Sequence, residues 1–126
     1  MILILAWLPV FCWAGLIFWF SSIPSLNSGL GNWDFYLRKG AHVFEFFVLT
    51  GFIYRALKIT VFPIQSKRIY FYSFLSSLLY AFADEWHQAF VPGRGPSLSD
   101  VLFDSVGIIL MLIFIWIYHN QRRWKK

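Results

Sequence analysis

Four apolar stretches, each long enough to cross a membrane, constrain this chain more than any other feature. They cover about residues 2–20, 41–60, 69–91 and 98–118 of the 126 residues. The hydrocarbon core of a bilayer is about 30 Å thick, and a helix needs about 20 mostly apolar residues to cross it. The sequence therefore predicts an all-α fold: a polytopic membrane protein with a four-transmembrane-helix bundle and short loops, in a single domain over residues 1–126.

The composition argues against the main alternatives to a membrane protein. Hydrophobic residues make up 59% of the chain and charged residues only 13%, whereas a soluble domain carries about 25% charged residues. Cys12 is the only cysteine, which excludes a scaffold held by disulfides within the chain. No basic segment precedes the first stretch, which favours a retained helix over a cleaved signal peptide. We expect membrane lipids as partners and no nucleic acid, and an oligomer is possible.

The basic residues predict the orientation of the four spans. With four crossings, the N-terminus, the second loop and the C-terminus lie on one side of the membrane. That side carries eight of the eleven lysines and arginines: Arg55, Lys58, Lys67, Arg68, Arg122, Arg123, Lys125 and Lys126. Because short cytoplasmic loops are enriched in Lys and Arg, we expect both termini in the cytoplasm.

All six acidic residues fall in the opposite, outer half of the predicted bundle. They are Asp34, Glu45, Asp84, Glu85, Asp100 and Asp104. A charged side chain inside a membrane costs at least about 2.5–3.5 kcal/mol on insertion scales, so several of them in a small protein indicate a functional site. The alternative is a structural network without an open cavity, with pairs such as Glu45–Arg94 or His42–Asp84.

Helical spacing brings these residues onto shared faces. Residues three or four apart lie on the same side of a helix. The positions are Lys39, His42 and Glu45 on the second helix, Asp84, His87 and Gln88 on the third with Glu85 beside them, and Asp100 and Asp104 on the fourth. Three helices are therefore predicted to present ionisable groups at a similar depth. Asp100 also fits a helix-capping position after Ser97.

Three motifs in these segments resemble the VanZ-like membrane protein family. They are Lys39-Gly-Ala-His42-Val-Phe-Glu45, Asp84-Glu85-Trp-His-Gln88 continuing to Pro92-Gly93-Arg94, and Asp100-Val-Leu-Phe-Asp104-Ser-Val-Gly107. The resemblance covers about residues 34–115. It implies a bacterial plasma-membrane protein, and founding members of that family are associated with teicoplanin resistance. Two departures are Arg38 before Lys39, where relatives often have Asp, and Asp104, where many have Asn.

We expect this site to bind or modify an envelope amphiphile, such as a lipid head group, a cell-wall precursor or a lipoglycopeptide antibiotic. As an enzyme it would use Glu85 or His42 as the general base and Asp84 or Asp104 as the carboxylate partner. Arg94, Lys39 and Arg38 are candidates to hold a phosphate at the rim, and an arginine is suited to do so through two N–H groups. The candidate catalytic residues are Glu85, Asp84, His42, Glu45 and Asp104, and the candidate substrate-binding residues are Arg94, Lys39, Gln88 and Asp100.

We expect no cofactor and no metal, because the His-x-x-Glu spacing of His42 and Glu45 is a weak metal signal by itself. Two other functions stay open. One is a non-catalytic envelope factor that binds the antibiotic, a precursor or a partner membrane protein. The other is a small proton-coupled transporter, although the inner half offers only Thr50, Ser73, Ser76 and Ser77 to continue a polar path.

Overall fold

The described residues of the chain form four helices. A computed structural model describes residues 1–24, 29–61 and 66–124. The helices are α1 (Ile2–Ser21), α2 (Trp33–Thr60), α3 (Ser66–Gln88) and α4 (Leu98–Trp124), and the described ranges contain no strand. The all-α, four-helix prediction is confirmed. Of the predicted cytoplasmic basic residues, Lys125 and Lys126 lie outside the described residues.

Three helices differ in their bounds from the predicted apolar spans. α2 begins at Trp33 rather than near residue 41, and α4 runs on to Trp124. Both extensions are polar or aromatic segments that continue the helix beyond the apolar stretch. α3 ends at Gln88, before the predicted residue 91. Pro92 disfavours helical geometry in the residue before it, and Gly93 adopts a left-handed φ of 77° that glycine tolerates without strain.

Within the described ranges, two helices, α1 and α4, are long and apolar enough to cross a membrane by length and composition. Large apolar side chains point outward from both, for example Ile4 at 68% exposed and Phe114 at 59%. Water does not favour so much exposed apolar surface on a small protein. The outward faces of these helices are therefore suited to contact with lipid tails.

Helix α2 lies at the centre of the bundle and packs against the other three helices. Its first half faces the first half of α4, since Lys39 contacts Asp100, while Lys58 near its end lies 3.4 Å from His119 of α4. These two helices therefore run parallel. A Cβ added to Gly107 of α4 would lie 2.1 Å from the carbonyl oxygen of Val43, so the two backbones are in direct contact.

Helix α1 is held by two hydrogen bonds from aromatic side chains. Trp13 Nε1 donates to the carbonyl oxygen of Glu45 at 2.9 Å, and the Tyr80 hydroxyl donates to the carbonyl oxygen of Ala14 at 2.6 Å. Around them lies an apolar core whose largest fully buried members are Ile17, Phe46, Leu49 and Ile108. The bundle therefore has an apolar centre, and its ionisable side chains collect toward one end.

Candidate functional site

A cavity of about 420 Å³ opens at the end of the bundle where α1 and α3 finish and α2 and α4 begin. Every helix and the α3–α4 turn contribute to its wall. The lining residues are Phe20, Ser21, Arg38, Lys39, Ala41, His42, Glu45, Gln88, Gly93, Arg94, Gly95 and Asp100. Six of the nine residues predicted as site residues are among them. The cavity argues against the structural alternative, which predicted a closed network.

Two of the three cations in the cavity wall are neutralised by acids. Arg38 Nε lies 2.7 Å from Asp34, one helical turn before it in α2. Lys39 forms an ion pair with Asp100 at the start of α4 and also lies over the Phe103 ring. The Asp100 side chain is therefore the ionic partner of Lys39. Its backbone N–H donates to the Ser97 carbonyl oxygen at 2.9 Å, at the start of α4.

Arg94 is positioned differently from these two cations. Its Nε donates to the carbonyl oxygen of Ile23 at 3.2 Å, and its Nη2 donates to that of Phe20 at 3.3 Å. Within the described ranges it has no acidic partner. A guanidinium carries five N–H donors, so these two bonds leave three available. The Arg94 side chain thus closes the end of α1 and still presents positive charge to the cavity.

Glu45 is the one cavity-lining carboxylate without a polar contact in the described part of the chain. Its side chain is half-buried, and its neighbours in electrostatic range include His42, Asp84, Asp104 and Arg94. The ion pair with Arg94 that a closed network predicted is not formed among the described residues. Its carboxylate is therefore available as a hydrogen-bond acceptor.

His42 is oriented by a buried carboxylate. Its Nδ1 lies 3.1 Å from Asp104 Oδ1, and Asp104 is 0% exposed. Sequence spacing left Asp84 and Asp104 as alternative partners, and the structure selects Asp104. A carboxylate at Nδ1 favours the tautomer that carries its proton there. The other ring nitrogen, Nε2, has no partner among the described residues, and His42 lines the cavity.

Asp84 joins α1 to α3. Its Oδ2 accepts a hydrogen bond from Ser21 Oγ at 2.8 Å and another from Gln88 Nε2 at 2.9 Å. Sequence reasoning missed Ser21, because a serine at the end of an apolar helix gives no signal of its partner. One turn further on, His87 lies 2.9 Å from Ser22 Oγ and stacks on Phe18. His87 therefore belongs to the contact between helices rather than to the cavity wall.

Three of the predicted catalytic residues lie behind the cavity wall. Asp84, Glu85 and Asp104 are at most 5% exposed and are not among the lining residues. Glu85 accepts a hydrogen bond from the Ser97 backbone N–H at 2.9 Å, which fixes the start of α4. Each of the three carboxylates keeps one buried oxygen without a hydrogen-bond partner among the described residues. His42 and Glu45 are thus the two predicted catalytic residues with direct access to a ligand.

The described residues contain no group of three or more His, Cys, Asp or Glu side chains arranged to hold a metal ion. The carboxylates are distributed over α2, α3 and α4, and several of them have protein partners, as with His42 on Asp104 and Ser21 on Asp84. The side chains that line the cavity can take part in hydrogen bonding, charge pairing and proton transfer.

Comparison with known proteins identifies the family. No curated protein and no solved structure gives a match. The sequence profile of the VanZ/LLP1 family matches residues 6–119, which include most of α1 and α4, the whole of α2 and α3, and the whole cavity wall. The VanZ-like resemblance of the three motifs is confirmed over nearly the full length, and the chain belongs to the VanZ/LLP1 family.

Proposed function

We propose that the cavity binds the head group of an envelope amphiphile at the outer boundary of the bacterial plasma membrane. The observation that carries the proposal is that two charged side chains in the cavity wall have no partner of opposite charge within the described residues. Arg94 and Glu45 face the cavity without ionic partners in the described residues, at one end of a bundle with apolar outer faces. An amphiphile can place its lipid tail along the apolar outer faces of the helices and its polar head group in the charged cavity.

The distribution of basic residues supports an outward-facing cavity. The described basic side chains of the opposite end of the bundle include Arg55, Lys58, Lys67, Arg68 and Arg122. Cytoplasmic loops are enriched in Lys and Arg, so that end belongs to the cytoplasm when all four helices cross the membrane. Both termini are then cytoplasmic. A lipid-linked cell-wall precursor or a lipoglycopeptide reaches the cavity from the outside, which fits a contribution to teicoplanin resistance.

The contact between His42 and Asp104 favours chemical modification of the bound head group as a second candidate function. A histidine held at Nδ1 by a buried carboxylate presents Nε2 as a proton acceptor, which is the arrangement of a general base. In this account His42 takes the proton from a hydroxyl or water at the cavity wall. A non-catalytic envelope factor needs only the binding groups, and the same cavity serves it.

The structure favours a head-group site over a proton-coupled transporter. The polar side chains on the inner side of the cavity form short contacts between or within helices. Thr50 Oγ1 donates to the Phe46 carbonyl oxygen at 2.7 Å and lies 3.0 Å from Ser77 Oγ, while Ser73 Oγ donates to the Ile69 carbonyl oxygen at 2.7 Å. All three are 0% exposed. These hydroxyls support helix packing, and each of them already has a hydrogen-bond partner within the described bundle.

A cysteine at Gly95 tests both the orientation of the cavity and its occupancy by lipid. Gly95 lines the cavity, and a Cβ there meets no atom within 4 Å. In a Cys12→Ser background, we expect a membrane-impermeant thiol reagent to label Gly95→Cys in intact cells. In detergent, added phospholipid should slow this labelling at least severalfold, because a bound head group covers the residue.

The matched control is Val61→Cys, at the exposed end of α2 on the opposite side of the bundle. It should react only after the cells are permeabilised, and phospholipid should leave its rate in detergent unchanged. Labelling of Val61→Cys but not Gly95→Cys in intact cells would reverse the proposed orientation. Equal rates for Gly95→Cys with and without phospholipid would argue against head-group binding.

A further inference from the structure

We propose that the cavity selects a zwitterionic head group, one that carries an anionic phosphate together with a primary ammonium. The inference rests on the proposed function and names the ligand class of the same site. It follows from the charges that remain in the cavity wall once the ion pairs within the protein are counted.

The remaining charges are one cation and one anion. Arg38 is paired with Asp34, Lys39 is paired with Asp100, and His42 contacts Asp104. Arg94 and Glu45 are left, and neither has an ionic partner among the residues the structure describes. A purely anionic ligand complements only the first of these, and a purely cationic ligand only the second. A head group with both charges complements both.

Arg94 is suited to the phosphate. Its bonds to the Phe20 and Ile23 carbonyl oxygens fix the plane of the guanidinium, and three N–H donors remain. A guanidinium matches two oxygens of a phosphate with two parallel N–H bonds, which an ammonium cannot do. The side chain is also placed beside the exposed turn residues Gly93 and Gly95, where a charged phosphate can approach from the water side.

Glu45 is suited to a primary ammonium rather than to a quaternary one. Its carboxylate can accept hydrogen bonds, and a primary ammonium has three N–H donors whereas a trimethylated nitrogen has none. A second anion at this position would be repelled by Glu45 and by the Asp84 and Asp104 carboxylates within its electrostatic range. Glu45 therefore favours head groups that carry a primary amine and disfavours anionic head groups that lack one.

Native mass spectrometry of the purified chain, exchanged between nanodiscs of defined lipid, tests the proposal. The probes are phosphatidylethanolamine, phosphatidylcholine and phosphatidylglycerol with identical acyl chains. We expect the wild-type chain to retain phosphatidylethanolamine about tenfold more strongly than either of the others, which corresponds to about 1.4 kcal/mol. If the ligand comes from the membrane, soluble phosphoethanolamine should displace the bound lipid only weakly. If the ligand comes from solution, phosphoethanolamine should bind as strongly as the lipid and displace it readily.

Substitutions of Glu45 and Arg94 test whether these two charges determine the selectivity for the lipid head group. Glu45→Gln should abolish the preference for phosphatidylethanolamine over phosphatidylglycerol while lipid is still retained. Arg94→Gln should weaken retention of all three lipids. Because Arg94 also holds the end of α1, Arg94→Lys is the companion variant that keeps the charge and loses the two-oxygen contact. It should show an intermediate loss. Lys67→Gln, an exposed cation at the other end of the bundle, should match the wild type.

The failures of the two proposals differ. If the wild-type chain retains no lipid at all, the proposed function is wrong. If it retains phosphatidylglycerol or phosphatidylcholine as strongly as phosphatidylethanolamine, or if Glu45→Gln keeps the full preference, head-group binding survives and the zwitterionic selection is overturned.

Discussion

Replacement of Gly107 by alanine is expected to disrupt the packing of α2 against α4 and to destabilise the whole bundle. The new Cβ would lie 2.1 Å from the Val43 carbonyl oxygen and 3.0 Å from the Phe47 backbone nitrogen. Both are backbone atoms within α2, so neither can move without displacing the helix. Overpacking in a well-packed core costs about 1–3 kcal/mol and sometimes more. We expect a loss of at least about 3 kcal/mol in the free energy of unfolding, at the upper end of that range.

The matched control for this steric effect is Gly51→Ala, on the other helix of the same pair. Its Cβ would meet Met111 Cε at 2.8 Å and Sδ at 3.3 Å, which are the far end of a flexible side chain that can rotate away. We expect its unfolding free energy to stay within about 1 kcal/mol of the wild type, since alanine also favours the helix by about that amount. Denaturant titration of helical circular dichroism in detergent gives both values. Equal stability of the two variants would refute the direct backbone contact.

Replacement of Asp84 by alanine is expected to release the end of α1 from α3. The carboxylate accepts hydrogen bonds from Ser21 and Gln88 in a fully buried position. A hydrogen bond to a charged group contributes about 1.5–3 kcal/mol, so loss of both weakens the attachment by about 3 kcal/mol or more. We expect the backbone amides of residues 18–21 to exchange with deuterium about 100-fold faster, because 1.4 kcal/mol corresponds to about a factor of ten.

Asp84→Asn separates the contact from the charge. The amide oxygen still accepts from Ser21 and Gln88, so exchange at residues 18–21 should stay close to the wild-type rate. Phe20 and Ser21 belong to the cavity wall, so lipid retention should fall in Asp84→Ala and persist in Asp84→Asn. If both variants exchange at the wild-type rate, Asp84 does not hold α1. If both lose lipid retention while α1 stays protected, the charge itself is needed by the ligand.

The sequence predicted the fold and the polar cluster for energetic reasons that are local to each helix. A run of about 20 apolar residues has few folded alternatives to a helix in a membrane. Charged side chains within such runs are too costly to be placed at random, so the spacing of His42 and Glu45, and of Asp100 and Asp104, predicted that they meet. His42, Glu45 and Asp100 do line one cavity, with Asp104 directly behind His42.

The partition between the cavity wall and its support was not predictable from spacing. Helices such as α1 are apolar on all sides, so their pattern does not say which face turns inward. Ser21 therefore gave no sign that it contacts Asp84. The closed network predicted a pair of His42 with Asp84, and the catalytic hypothesis left Asp84 and Asp104 open as the carboxylate partner. The packing of α2 on α4 through Gly107 decides which carboxylate contacts His42, because it places Asp104 beside the imidazole.

A variant whose cavity is filled by a large side chain tests head-group binding most directly, through its retention of lipid. Ala41 is exposed and lines the cavity, whereas Ala83 is exposed on α3 and does not line it. Tryptophan at either position adds the same side chain, and helical circular dichroism verifies that each variant folds. In native mass spectra after detergent purification, we expect the wild type and Ala83→Trp to retain a phospholipid and Ala41→Trp to lose it. Retention of the lipid by folded Ala41→Trp at the wild-type level would contradict head-group binding in the cavity.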